Sequence, residues 1–138
     1  MNELVNKDAE HLRLLSIFHF VSAGLALAGL LFLAGHYAIM QTVFNDPDLF
    51  KNAKGGPPPK EFFEIFKIFY VVCGAWLLIS GVGNLMSAIY LRQRRNRMFS
   101  MVVAGLNCLH MPLGTVLGVF TFVVLGRESV VALYERKV

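Results

Sequence analysis

The sequence predicts an all-α integral membrane protein, a compact bundle of four helices. Three features carry this: three long apolar stretches, a proline-glycine break in the third, and an arginine cluster between the second and third. The stretches run from Leu14 to Met40, Ile65 to Leu91 and Met98 to Leu125. Each exceeds the roughly 20 apolar residues that a helix needs to cross a hydrocarbon core of about 30 Å. Hydrophobic residues make up 56% of the 138-residue chain and charged residues only 16%, outside the range of an ordinary soluble domain. One transmembrane domain over 1–138 is expected, because the segments between and around the stretches are too short to enclose a core.

The first helix is expected over about 12–40. Glu3, Asp8 and Glu10 precede its apolar run and no small-x-small site follows it, so it reads as a retained anchor and not as a cleaved signal peptide. An external loop, 41–60, follows. In it Asn45-Asp46-Pro47-Asp48 reads as a turn, Asp48 to Lys54 as a short interfacial helix, and Gly55-Gly56-Pro57-Pro58-Pro59 as a stiff polyproline connector. The second helix is expected over about 61–92, and the aromatic residues in Lys60-Glu61-Phe62-Phe63-Glu64 suit the lipid-water interface. Arg92, Arg94, Arg95 and Arg97 crowd the short loop 92–97, which the positive-inside rule places in the cytoplasm. The net charge of +4 is concentrated there, which points to anionic lipid head groups and away from nucleic acid.

The third stretch has 28 residues. As one straight helix it would be about 42 Å long, more than the core is thick. Met111-Pro112-Leu113-Gly114-Thr115 interrupts it: proline removes a helix donor, glycine tolerates positive φ, and threonine is a good N-cap. Two geometries follow. Helices over about 96–111 and 115–134 form a hairpin around Pro112, Gly114 and Thr115, or one kinked helix makes a third and last span. A hairpin places nine of the 13 Lys and Arg residues inside and four outside, whereas a single crossing gives six and seven. The basic bias favours the hairpin, with both termini cytoplasmic.

Each stretch also shows a stripe of small or polar residues at the spacing of a left-handed bundle seam. In the first it is His19, Ser22, Ala26, Gly29, Leu33 and His36; in the second Cys73, Leu77, Ser80, Asn84, Ser87 and Leu91. The third contributes Ser100, Ala104, Asn107 and Met111, then Gly114, Gly118 and Thr121. At ~1.5 Å per residue, His19, Asn84 and Asn107 lie about 8, 10 and 14 Å from the cytoplasmic side, near enough to form one polar cluster. His19, Ser80, Asn84, Ser87, Asn107 and Thr121 are therefore the candidates for a polar interior or a pore lining. The functional reading is an ion or proton path. The plainer one is interhelical hydrogen bonding.

Enzymatic chemistry is not expected. No Asp, Glu, Lys or Arg lies in the middle of a span, and there is no G-x-S-x-G elbow, HExxH or clustered Cys/His spacing. Cys73 and Cys108 sit in apolar stretches and read as small hydrophobes. Bis-histidine haem needs two imidazoles at nearly equal depth. His19, His110 and His36 fall about 8, 18 and 33 Å from the inner face, so haem is a minor alternative requiring an oligomer and no cofactor is expected.

Two segments carry a resemblance. Asp8-Ala9-Glu10-His11-Leu12-Arg13-Leu14-Leu15-Ser16-Ile17-Phe18-His19 and Met111-Pro112-Leu113-Gly114-Thr115-Val116-Leu117-Gly118-Val119-Phe120 resemble a group of small bacterial membrane proteins without established function. The resemblance implies a bacterial inner-membrane location and transfers no activity. The leading functional expectation is a homo-oligomeric membrane protein forming a pore for small ions, since one protomer is too thin to surround water. The rival is an accessory or scaffolding subunit that docks another membrane protein.

Overall fold

A computed structural model describes residues 2–51, 56 and 58–135. The described residues are helical with no strand. Two helices are long and apolar enough to cross a membrane. Helix α1 spans Asn2–Asn45, α2 Pro47–Phe50, α3 Lys60–Gln93, α4 Arg97–Asn107, α5 Leu113–Leu125 and α6 Glu128–Glu135.

Helix α1 is longer than its expected 12–40 at both ends, because no proline occurs before Pro47 and the polar N-terminal residues simply continue the helix. It stops where Asp46 turns extended and its carboxylate accepts from the Asp48 N–H at 2.9 Å, with Pro47 at the first position of α2. The short helix thus begins at Pro47 and ends at Phe50; the rest of the expected interfacial helix, residues 52–54, lies outside the described residues, as do Gly55 and Pro57. Between α3 and α4 the backbone reverses within three residues. Arg94 and Asn96 adopt left-handed φ values of 51° and 48°, a conformation that asparagine tolerates and arginine ordinarily avoids.

The third apolar stretch is broken, and its halves fold back on each other. The break starts earlier than expected: α4 ends at Asn107, four residues before Met111, and α5 starts at Leu113 with Pro112 in the N-cap position. Thr115 is not the cap. Its hydroxyl donates instead to the Cys108 carbonyl at 2.9 Å, tying α5 to the turn. Beyond Gly126 the chain bends by 72° into α6, so the expected helix over 115–134 is two helices. The antiparallel pairing rests on glycines. A Cβ at Gly114 would meet the Asn107 carbonyl and one at Gly118 the Ala104 carbonyl, while one at Gly105 would touch the Phe122 ring at 3.8 Å.

The chain packs as two compact units, Met1–Leu25 with Ser80–Val138, and Ala26–Ile79. The core of the larger one joins Leu12 and Leu15 of α1, Leu91 of α3, Val124 and Leu125 of α5, and Val130 of α6. Asp8, almost fully buried, pairs with Arg127 at 3.5 Å, which fixes the start of α1 to the corner between α5 and α6. That contact requires the hairpin, because a single kinked helix would carry Arg127 away from the end where α4 begins.

The smaller unit holds the second half of α1 against the first half of α3. A Cβ at Gly29 would meet Leu77 at 3.4 Å and one at Gly74 would meet Leu33 at 3.6 Å, so small residues set the approach of the helices. Further along, Tyr37 meets Tyr70 edge-on at 5.2 Å between ring centroids and Phe44 meets Phe63 at 4.6 Å. Each step forward in α1 is matched by a step back in α3, the register of an antiparallel pair. Outward lie Leu31, Phe32, Ile65, Ile68 and Val71, all strongly exposed, as apolar side chains facing lipid would be.

The glycine contacts generate a contrast. Gly118→Ala forces a methyl group onto a backbone carbonyl of the facing helix and should cost about 1–3 kcal/mol, typical of overpacking. Gly24→Ala meets nothing within 4 Å and should cost nothing. Thermal melts followed by circular dichroism in mild detergent check both.

Candidate functional site

Four helices of the larger unit each contribute one polar side chain to a buried cluster. His19 of α1 and Thr121 of α5 have no exposed surface, and Asn84 of α3 and Asn107 of α4 have almost none. His19 Nδ1 lies 2.7 Å from Asn84 Oδ1, and His19 Nε2 lies 3.3 Å from Thr121 Oγ1. The two asparagines bond reciprocally: Asn84 Nδ2 donates to Asn107 Oδ1 at 2.9 Å, and Asn107 Nδ2 donates to Asn84 Oδ1 at 2.8 Å.

The protonation pattern follows from the neighbours. Asn84 Nδ2 also donates to the Ser80 carbonyl at 2.9 Å. A backbone carbonyl can only accept, so the Asn84 amide is held with its oxygen toward the histidine, and His19 Nδ1 must carry a hydrogen. Thr121 Oγ1 donates to the Leu117 carbonyl at 2.7 Å, leaving its lone pairs toward Nε2. With Thr121 placed so, both ring nitrogens face acceptors and suit an imidazolium. Rotation of the Thr121 hydroxyl onto Nε2 satisfies the neutral ring, which carries no buried unpaired charge. Every member is satisfied in either state, the condition under which a buried polar network stabilises and specifies its surroundings.

Of the candidates named from the sequence, His19, Asn84, Asn107 and Thr121 come together, and Ser80 joins through its backbone carbonyl. Ser87 is fully buried but makes no side-chain hydrogen bond among the described residues, and the same holds for Ser100. Met111 is exposed at the tip of the hairpin and not on the inward stripe, because α4 has already ended at Asn107. Arg92, Arg94, Arg95 and Arg97 form no ion pair among the described residues, which leaves their charges available to head groups or water.

Among the described residues the imidazole is oriented by an amide and a hydroxyl and not by a carboxylate, and both its ring nitrogens are engaged. Among the described residues no three His, Cys, Asp or Glu side chains converge as metal ligands. Among the pairings that escaped the sequence reading, two join titratable side chains across helices. One is the hydrogen bond between His36 and Tyr70 in the smaller unit, and the other is Asp8 with Arg127. The first had a signal: His36 lies nine residues before the end of α1 and Tyr70 ten after the start of α3, equivalent heights in an antiparallel pair.

Asn84→Leu removes the shared acceptor and donor at once and orphans groups on His19 and Asn107. At ~0.6 kcal/mol per intramembrane contact plus a desolvation penalty, the loss should reach about 2 kcal/mol or more. Thr121→Val should cost less. Asn84→Leu combined with Asn107→Leu should cost less than the sum of the two, because the second change removes a partner already orphaned. Equilibrium unfolding in mixed micelles measures all three.

Comparison with known protein families, characterised proteins and solved structures finds no match to this chain, so the reading of the cluster rests on its own residues.

Proposed function

We propose that this chain is a non-enzymatic accessory or scaffolding subunit of a membrane assembly, acting through its helices within the bilayer and forming no ion pathway of its own. The observation that carries this reading is the closure of the polar cluster upon itself. A pore through a ring of copies needs polar groups such as Asn84, Asn107 or Thr121 on its axis. Here those groups point at one another inside the protomer, and the outward faces of both long helices are almost continuously apolar. Partners of such a surface are lipids, a second copy or the helices of another membrane protein.

The membrane arrangement belongs to the same proposal. Helices α1 and α3 cross a bacterial inner membrane, while the α4–α5 hairpin enters from the cytoplasmic face and returns. At 11 and 13 residues, α4 and α5 are only about 16 and 20 Å long and fall short of the ~30 Å core. Leu109, Met111 and Leu113 at the tip are 70%, 85% and 75% exposed, as side chains bathed in hydrocarbon would be. Irregular backbone is tolerated at that depth only if its polar groups are occupied. Of the seven N–H groups from Cys108 to Thr115, five donate to nearby carbonyls, those of Cys108, Leu109, His110, Gly114 and Thr115. Both termini then share the cytoplasmic side with the arginine loop.

Two measurements test this. Proteoliposomes carrying the purified chain should show no potassium or proton flux above protein-free vesicles, and Asn84→Leu should leave that baseline unchanged; flux together with a closed ring in native mass spectra would restore the pore. In a variant with Cys73 and Cys108 replaced by alanine, a cysteine at Met111 should resist an impermeant maleimide from both faces. Cysteines at Lys7 and Glu135 should react from the same face, and labelling of Met111→Cys from the opposite face would remove the re-entrant hairpin.

A further inference from the structure

The smaller unit contains a cleft with two chemically different ends. At the loop end a cavity of about 310 Å³ is lined by Gln41, Asn45, Lys60, Glu64 and Lys67, with aromatic side chains as its walls. Beside it an apolar groove of about 350 Å³ runs along Leu30, Leu33, Ala34 and Val71. Tyr37, Lys67 and Tyr70 line both, so the two adjoin, the first carrying the charged side chains and the second almost wholly apolar. A cleft of this volume falls in the range of small-molecule sites, and its polarity gradient is that of an amphiphile.

The charges narrow the class. Lys60, Glu64 and Lys67 follow one another at helical spacing on α3 and line the same mouth, in the order positive, negative, positive. Among the described residues none of the three forms an ion pair, although Glu64 lies within one turn of each lysine. Their hydrogen-bonding capacity is therefore available to a ligand. Lys67 is about 10 Å further along the helix than Lys60 and lines both the mouth and the apolar groove, a position that suits a side chain with an apolar stem and a charged tip.

We propose that this cleft binds one aminophospholipid, with its phosphate between Lys60 and Lys67, its primary ammonium on Glu64 and one acyl chain along Leu30, Leu33, Ala34 and Val71. A glycerol head group offers no cation to Glu64. A choline head group offers no N–H donor. Only a phosphate followed by a primary ammonium complements all three charges.

The test uses the full chain in nanodiscs of equal phosphatidylethanolamine, phosphatidylglycerol and phosphatidylcholine with identical acyl chains, followed by release and native mass spectrometry. One phosphatidylethanolamine per chain, retained about tenfold over the other two, is the expected result. Lys60→Gln with Lys67→Gln should lower retention about tenfold, and Glu64→Gln should abolish the preference for ethanolamine over choline while keeping a lipid bound. Equal retention of the three lipids, preference for phosphatidylglycerol, or retention indifferent to the lysine changes would overturn the assignment. All three side chains are exposed, so helicity by circular dichroism should be unchanged in every variant.

Discussion

In a bilayer a polar side chain cannot fall back on water, and the hydrogen bonds joining His19, Asn84, Asn107 and Thr121 are the constraint on which the larger unit depends. Apolar packing alone would let α1, α3, α4 and α5 slide or rotate with little penalty, because lipid tails solvate leucine as well as another helix does. Four polar groups that must meet one another allow only one register. The amide of Asn84 is the hub, since it alone of the four bonds to three partner residues, and the Ser80 carbonyl decides which way that amide faces.

The same logic explains why the helices are held by small residues elsewhere. Gly114 and Gly118 bring α5 so close to α4 that backbone carbonyls occupy the space of a side chain, and Gly29 and Gly74 admit leucines of the partner helix in the smaller unit. Close approach raises dispersion contact, the main attraction left once the hydrophobic effect is absent. Polar bonds therefore set the register, and glycine contacts set the distance.

Much of this was legible in the sequence. Helical class and membrane character follow from composition and the length of the apolar stretches, and the break near Pro112 follows from the chemistry of proline and glycine. The stripe containing His19, Asn84, Asn107 and Thr121 was visible as a periodic pattern, although periodicity could not say whether the residues face an oligomer axis or one another. Helix ends were less legible. Nothing local stops α1 at Met40 or starts it at Leu12, since polar residues propagate a helix as readily as apolar ones once it is nucleated. Thr115 had the chemistry of a cap, and tertiary context redirected its hydroxyl to Cys108. The pairing of Asp8 with Arg127 joins residues 119 apart, which no local pattern encodes.

Helices as short as α4 and α5 bear on how the protein is made. A segment of 11 or 13 residues has too little length to be handed across the membrane as an independent span. His19 and Asn84 belong to the two long helices, whereas Asn107 and Thr121 belong to the two short ones and reach their partners only as α4 and α5 fold back. Without α4 and α5, His19 and Asn84 would still bond each other, but one ring nitrogen and part of the amide would lack a partner. Folding of α4 and α5 onto the two long helices is thus the step that completes the network.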